Sequence, residues 1–379
     1  MRRVFRLAAC ALVIAVGLGA GAARIGAAAP PAGPRESPAV GNRGVIELIT
    51  GRAGDGSVRM AQEIAGVVDD GAMRRVVPVV GKGSLQNLAD LKHLRGIDVA
   101  ILPVDALEYA RDQRLFPGIE DSLTYITKLY NQELHVLARS DIKKIADLSG
   151  QAVNADVQGS STAFTAARVF NLLGIKPKIA NDSQDAALQK LRNGEIAALA
   201  FVAAKPAPFF QAIDAANGLH LLGIPLTPAV TDAYIPTRIT AADYPRLVAS
   251  EQPTDTIAVG TVMVAAEVRN LSDRYRTIAD FVDALFANFQ GLLAPGHHPK
   301  WREVNIAAEL PGWARHSAAR QWLQRNAAGA ANTSAEAVQA LFSRFIEERR
   351  QSGGSAPISD ADKNALFRQF RARQNGQAR

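Results

Sequence analysis

The chain has 379 residues, of which 48% are hydrophobic and 21% charged, and this composition excludes a disordered or fibrous protein. A chain of this length is expected to form two lobes with additional segments. Its single cysteine, Cys10, excludes a disulfide framework, a thiolate zinc site and a cysteine nucleophile in the body of the protein. Aromatic residues make up only 6%, and the Lys and Arg residues behind the net charge of +7 are scattered along the chain. We therefore predict no nucleic-acid partner.

Residues 1–29 have the pattern of a signal peptide. Three arginines in residues 1–6 precede an apolar run at 7–18, and small residues with the A-x-A spacing of a cleavage site end at Ala22 and at Ala29. The apolar run is shorter than the roughly 20 residues that span a bilayer, so export with cleavage is favoured over a membrane anchor. Cleavage after Ala22 lowers the net charge from +7 to +4.

Two alternatives for the amino terminus stay open. An uncleaved segment would tether the protein to the membrane. The letters of Leu7–Cys10 match a lipoprotein cleavage box, although this box precedes the hydrophobic stretch instead of following it. Residues 30–43 are rich in Ala, Pro and Gly and are predicted to be a flexible tether before the folded part.

Strands and helices are predicted to alternate along most of the chain. Apolar and β-branched runs predict strands, and apolar residues at helical spacing predict helices. In the first series, strands are expected at 44–50, 75–80 and 98–104, with helices at 57–69, 84–94 and 105–111. In the second, strands are expected at 135–138, 152–154, 196–202, 219–224 and 256–264, with helices at 161–173, 182–191 and 272–293. This alternation predicts a mostly parallel sheet with helices on both faces.

The carboxyl-terminal residues 331–379 are predicted to be a helical extension. Capping boxes begin at Thr333 and at Ser359 and open two basic helices. These helices are expected either to pack as solvated helices on the nearer lobe or to serve as a docking arm for a partner.

Two glycine-rich loops carry the candidate chemistry. Gly81–Asn87 and Gln158–Ala163 each place small residues at the start of a predicted helix that follows a strand. The start of a helix has unpaired N–H groups and a partial positive charge, so a carboxylate or phosphate can bind there. Glycine permits close approach to the backbone, and Ser or Thr hydroxyls add donors. One such loop in each lobe points to binding of an anion, while each loop alone is also explained as a plain helix cap.

No constellation for catalysis stands out, and we predict that the protein is not an enzyme. Gly81–Ser84 departs from the Walker phosphate-binding pattern, because Gly83 follows the lysine directly where that pattern needs Ser or Thr. The sequence contains no G-x-S-x-G nucleophile elbow and no H-E-x-x-H pair. The doublet His297–His298 is expected in an exposed loop. No metal and no cofactor are predicted.

Several of these segments together resemble the TAXI branch of the TRAP-transporter solute receptors. The resemblance covers roughly residues 44–325 and lies in these segments: Gly81–Leu88, Gly96–Ala100 with Asp105, His135–Ile142, Asp147–Gly150, Gly159–Thr162, Leu172–Ile175 and Ala186–Ile196. The chain departs from the family pattern in three places. Gly56–Arg59 stands in place of a tyrosine pair, Pro103 in place of a polar residue, and Ala204–Pro206 in place of G-x-P. The first and third departures put two cations, Arg59 and Lys205, near the expected ligand.

The resemblance implies an α/β, two-lobed type II periplasmic-binding-protein architecture with a hinge of two crossing strands. Lobe 1 would comprise residues 44–135 and the return at 256–330, and lobe 2 would comprise residues 136–255. The hinge candidates are Leu134–Arg139 and Thr256–Val264. Ligand contacts are expected from Ser57, Arg59, Gly83, Ser84, Asn87, Asp105, Gly159, Ser160, Ser161, Thr162 and Lys205.

The implied function is that of a periplasmic receptor. It would capture a small organic anion, of the dicarboxylate or acidic amino acid class, and deliver it to the subunits of a TRAP-type secondary permease. One alternative is the receptor of an ATP-driven importer for a sulfonate, nitrate or a vitamin precursor. Another is an exported sensor module that acts through the helical tail.

Overall fold

The computed structural model describes residues 44–52, 56–267 and 272–326. The chain divides into two units between Gly41 and Asn42, and every described residue belongs to the second unit. The predicted signal peptide, the predicted tether and the predicted helical extension at 331–379 lie outside the described residues. Within these residues, no helix is long and apolar enough to cross a membrane.

The described elements follow the predicted alternation. The strands are β1 Val45–Thr50, β2 Arg75–Val80, β3 Ile97–Pro103, β4 Leu123–Arg139, β5 Ala152–Asn154, β6 Lys178–Ala180, β7 Ala198–Ala203, β8 Leu219–Leu221, β9 Ile235–Ile239 and β10 Thr254–Ala266. The helices are α1 Gly56–Val68, α2 Ser84–His93, α3 Val104–Asp112, α4 Ile119–Ser122, α5 Ser161–Leu172, α6 Gln184–Arg192, α7 Pro208–Gln211, α8 Pro228–Ala233, α9 Asp273–Ala287 and α10 Ser317–Arg325. Short 3-10 helices lie at Ile145–Leu148, Ala215–Asn217, Phe289–Leu293 and Pro299–Glu303.

The strands form one sheet in the order β2-β1-β3-β10-β4-β7-β5-β6, with β8 paired to β4 and β9 to β10. Its two halves repeat one arrangement. In each half, three parallel strands lie in the order second, first, third, as β2-β1-β3 and as β6-β5-β7. The third strand then pairs antiparallel with a long strand, β10 in one half and β4 in the other.

The two long strands join the halves. β4 and β10 pair antiparallel from Leu123 against Ala266 to Glu133 against Ala258. β3 pairs with the carboxyl-terminal half of β10, and β7 pairs with the carboxyl-terminal half of β4. The predicted two-lobed α/β architecture with two crossing strands is therefore confirmed. The predicted lobe boundaries, at 135/136 and at 255/256, fall inside β4 and near the start of β10.

Each lobe has an apolar core on both faces of its part of the sheet. In lobe 1, successive side chains of β1 and β3 point to opposite faces of the sheet and belong to two apolar clusters. One cluster includes residues of α1 and α9, and the other includes residues of α2 and α3. In lobe 2, one cluster includes residues of α5 and the other residues of α6. The helices that precede and follow each strand therefore cover both faces, as in other α/β sheets.

Two boundaries differ from the sequence expectation by more than three residues. β4 begins at Leu123, whereas the apolar pattern predicts a strand only from 135, because Thr, Lys, Asn, Gln and Glu side chains interrupt the apolar residues between 124 and 133. The helix expected at 272–293 ends at Ala287. The side chain of Asn288 donates to the carbonyl of Ala284 at 2.9 Å, and a 3-10 helix continues to Leu293.

Candidate functional site

The two glycine-rich loops meet between the lobes. Ser84, the first residue of α2, and Ser161, the first residue of α5, place their hydroxyl oxygens 2.5 Å apart although 77 residues separate them in the sequence. The backbones of the two loops are also in close contact, because a Cβ added to Gly83 would lie 2.2 Å from the carbonyl oxygen of Gly159. The structure therefore brings together the starts of two helices, one from each lobe.

The start of each helix is suited to hold an anion. Gly83 precedes α2 without a side-chain cap, and no acidic residue lies in the first turn of α2 or of α5. Ser160 caps α5 by accepting a hydrogen bond from the backbone N–H of Ala163 at 3.1 Å. The remaining N–H groups of both first turns and their partial positive charge favour a negatively charged ligand.

Arg52 adds a positive charge that the sequence analysis missed. Its guanidinium donates to the carbonyl oxygen of Lys82 at 2.9 Å, within the loop that leads into α2. It also acts electrostatically on the carboxylate of Asp156, in the loop of lobe 2 that leads into α5. Burial raises the pKa of Asp156, whereas hydrogen bonds from Val157 and Ser160 and the charge of Arg52 lower it. The available sequence signal was that Arg52 lies two residues beyond the carboxyl end of a strand.

Three of the predicted site residues shape the loops through their own hydrogen bonds. The side-chain amide of Asn87 donates to the carbonyl of Thr50 at 2.6 Å and accepts from the N–H of Lys82 at 3.1 Å. The hydroxyl of Ser57 accepts from the N–H of Gly51 at 2.8 Å, and that of Thr162 accepts from the N–H of Val202 at 3.0 Å. These bonds anchor the helix starts to the ends of the neighbouring strands.

Asp105 lies in the first turn of α3 and faces lobe 2. Its Oδ2 accepts hydrogen bonds from the Thr165 hydroxyl at 2.7 Å and from the Tyr234 hydroxyl at 3.2 Å. The Oδ1 atom is buried and has no hydrogen-bond partner among the described residues. Burial raises the pKa of Asp105 to about 6, and the two hydroxyl donors oppose that shift.

The two cations expected near the ligand have partners inside the fold. Arg59 forms a 2.8 Å ion pair with Glu63 and donates to the carbonyl of Gly296 at 3.0 Å. Lys205 is 3% exposed, and its Nζ lies 3.1 Å from a carboxylate oxygen of Asp243. A buried ammonium needs such a partner, because an unpaired charge in the interior is costly. Lys205 therefore forms a buried ion pair inside lobe 2.

A buried ionic cluster at the crossing strands was also missed. The Nζ of Lys300 lies 2.6 Å from Glu133, on β4, and 3.0 Å from Glu303. Although burial by itself lowers the pKa of Lys300, the carboxylates of Glu133 and Glu303 raise it above its usual value. Glu133 also accepts a hydrogen bond from the backbone N–H of Lys205 at 3.0 Å. A single lysine in the short segment Pro299–Glu303, which forms a 3-10 helix, gave no sequence signal for this cluster.

The prediction of an exposed histidine doublet is wrong for His298. This residue is 5% exposed, and its backbone N–H donates to the Glu63 carboxylate at 3.0 Å. Burial lowers the pKa of its imidazole to about 4. Within 44–52, 56–267 and 272–326, no group of three or more His, Cys, Asp or Glu side chains is arranged to hold a metal ion.

Three solved structures illustrate what the chain is similar to. A TctC solute binding protein from Polaromonas shares 16% identity over 88% of this chain and 97% of that chain, with a TM-score of 0.39. The alkanesulfonate-binding protein SsuA from Xanthomonas axonopodis pv. citri, bound to MOPS, shares 15% identity over 81% and 93%, with a TM-score of 0.42. The periplasmic binding protein BugD shares 12% identity over 77% and 97%, with a TM-score of 0.45.

A protein-family model matches a much longer continuous part of the sequence than any of the motifs above. The model describes the NMT1-like family and matches residues 53–324, which is more than half of the chain. The match includes both glycine-rich loops and both crossing strands. The chain belongs to the NMT1-like family.

Proposed function

We propose that this protein is an exported receptor that captures a small organic anion between its two lobes and delivers it to a membrane permease. One observation carries the proposal: the first turns of α2 and α5, from opposite lobes, meet with the Ser84 and Ser161 hydroxyls 2.5 Å apart. Two helix starts that converge from separate lobes concentrate N–H donors and partial positive charge at one point. Such a point favours a carboxylate or a chemically similar anion.

The ligand donors in this proposal are the hydroxyls and backbone N–H groups around Gly83, Ser84, Gly159, Ser160 and Ser161. The two loops contact each other directly in this conformation, since Gly83 has no room for a Cβ beside Gly159. A ligand that bonds to both loops therefore enters when the lobes are further apart. Closing then adds donors from the second lobe and excludes water, which strengthens the electrostatic interactions.

The proposed ligand is a dicarboxylate or an acidic amino acid, and the proposed partner is a TRAP-type secondary permease. The partner rests on the sequence resemblance to the TAXI receptors, and the periplasmic location rests on the signal-peptide pattern of residues 1–29. A sulfonate accepts hydrogen bonds from the same donors as a carboxylate. The receptor of an ATP-driven importer is therefore the second candidate, and the choice of ligand distinguishes the two.

The test is a thermal-shift screen of the purified protein against dicarboxylates, acidic amino acids and alkanesulfonates, followed by calorimetry. A true ligand raises the melting temperature, because it binds the folded state only. Stabilisation by dicarboxylates or acidic amino acids supports the first candidate, and stabilisation by alkanesulfonates alone supports the second. If no anion in the panel stabilises the protein, the proposed function is wrong.

The Ser84→Ala, Ser161→Ala double variant then tests the site. Loss of two donors in a buried site is expected to weaken binding by about 1–3 kcal/mol, or roughly 5- to 150-fold in Kd. Ser140→Ala is the matched control, because Ser140 lies on the exposed surface of lobe 2. Equal affinities of the double variant and the control would refute the assignment of the site while leaving open the binding of an anion elsewhere.

A further inference from the structure

One face of α5 makes a row of contacts with lobe 1. Residues spaced by three, four and seven positions lie on the same face of a helix. Four residues of α5 with this spacing each have a partner on α2 or α3: Ser161 with Ser84 at 2.5 Å, Phe164 with Tyr109 at 4.7 Å between ring centroids, Thr165 with Asp105 at 2.7 Å, and Arg168 with Glu108 at 3.8 Å. This row is part of the contact surface that the two lobes share in this conformation.

Asp105 is the buried charge in that row. It belongs to lobe 1 and is only 3% exposed, and both hydroxyls that donate to it, those of Thr165 and Tyr234, belong to lobe 2. The carboxylate therefore loses both donors and gains water when the lobes separate. Its other oxygen, Oδ1, is buried without a hydrogen-bond partner among the described residues. An ionised carboxylate in this position is incompletely compensated, which disfavours the charged form in the closed state.

The groups that face Asp105 do not remove this effect. Arg168 lowers the pKa of Asp105 and Glu108 raises it, but burial has the largest effect and brings the pKa to about 6. The Tyr234 hydroxyl stays neutral, since burial and the Asp105 charge raise its pKa above the usual value. In the separated lobes, the carboxyl is hydrated and its pKa lies near the ordinary value of 3.8. The closed form thus holds the proton more tightly than the open form.

We propose that Asp105 is a proton-dependent latch between the lobes, so that the receptor closes more readily as the pH outside the cytoplasmic membrane falls. The proposal rests on the lobe movement in the proposed function. The two titration points, about 6 and about 4, imply that the ratio of closed to open molecules rises about tenfold from about pH 8 to about pH 5. Thr165 and Tyr234 complete the latch from the opposite lobe.

The test measures the distance between the lobes without any ligand. Spin labels are attached to the Gln86→Cys, Ala167→Cys variant of the full chain, in which Cys10→Ser removes the native thiol. Gln86 lies on α2 and Ala167 on α5, and both are exposed. Pulsed electron paramagnetic resonance between about pH 8 and about pH 5 is expected to show a short-distance population that grows about tenfold relative to the long-distance one.

Asp105→Asn is the decisive variant. The Asn amide cannot ionise, yet its oxygen can accept from Thr165 and Tyr234, so this variant should show the short distance at every pH. Asp112→Asn, the same chemical change at an exposed position of α3, is the control and should titrate like the parent protein. Should Asp105→Asn not fold, Thr165→Val should lower the short-distance population at every pH.

Three results would overturn the latch: distances in the parent that do not depend on pH, an Asp105→Asn variant that titrates like the parent, or a Thr165→Val variant whose distances equal those of the parent. None of these results bears on ligand binding. A protein that is stabilised by an anion but has pH-independent distances keeps the proposed function and loses the latch.

Discussion

Replacing Gly83 with alanine should hold the two lobes apart, whereas the same replacement at Gly159 should leave them able to close. Gly83 has a φ of 142° and Gly159 a φ of 82°, so alanine is strained at either position, at a cost of about 1–3 kcal/mol. A Cβ on Gly83 would lie 2.2 Å from the Gly159 carbonyl oxygen, while a Cβ on Gly159 meets nothing within 4 Å. The two variants share backbone strain and differ in the clash between lobes.

The size of the effect follows from the geometry. Real Cβ atoms essentially never approach another heavy atom more closely than 3.0 Å, so the loops in Gly83→Ala must separate by about 1 Å. The distance between the Ser84 and Ser161 hydroxyls then grows from 2.5 Å to about 3.5 Å, beyond the range of an O–H···O hydrogen bond. Loss of that bond alone costs the closed state about 1 kcal/mol, or roughly fivefold in population, and the remaining overlap adds to this cost.

Two measurements separate strain from clash. Urea unfolding should show that both alanine variants lose free energy of unfolding. Distances between the spin labels at Gln86 and Ala167, at about pH 6, should show that only Gly83→Ala loses the short-distance population. The same distance distribution in both variants would mean that the contact between Gly83 and Gly159 does not limit closure, and the reasoning would be refuted.

Three further expectations concern buried titratable groups. Lys300→Met leaves two buried carboxylates without their cation, and urea unfolding should show a free energy of unfolding lower by about 3–5 kcal/mol. The control Lys92→Met, at a partly exposed site, should change the free energy of unfolding by at most about 0.5 kcal/mol. Burial raises the pKa of Asp98 to about 7, so the folded state holds this proton and stability falls as the pH rises from about 4 to about 7. Over the same pH range, the urea midpoint of Asp98→Asn should fall less than that of the parent protein. Burial lowers the pKa of His135 to about 4, so its contribution to stability is present above about pH 6.5 and is lost as the pH falls towards 4. Proton NMR should show a neutral imidazole ring down to about pH 5, and protonation of the ring near pH 6.5 would contradict this expectation.

The alternation of strands and helices could be predicted because its signals are local. The β-branched run at Arg75–Val80 forms a strand with the predicted limits, and Ser272 caps α9 by accepting from the Tyr275 N–H at 3.0 Å. Apolar period and capping depend on residues within one or two turns of each other. The first half of β4 could not be predicted in this way. Most of its polar side chains are buried, and it contacts β10, Lys300 and Ile306, which lie far away in the sequence.

In the candidate site, too, local features could be predicted from the sequence and contacts between distant residues could not. The sequence by itself determined that two helices begin with glycine and serine at the end of a strand, because a helix start requires a suitable cap and the glycines permit backbone that other residues avoid. Only the tertiary structure decided that Ser84 and Ser161 touch, that Asp105 takes its donors from the other lobe, and that Lys300 pairs with Glu133 across 167 residues. These pairings depend on how the two lobes fold against one sheet. A pattern of neighbouring residues contains no information about contacts between residues that are far apart in the sequence.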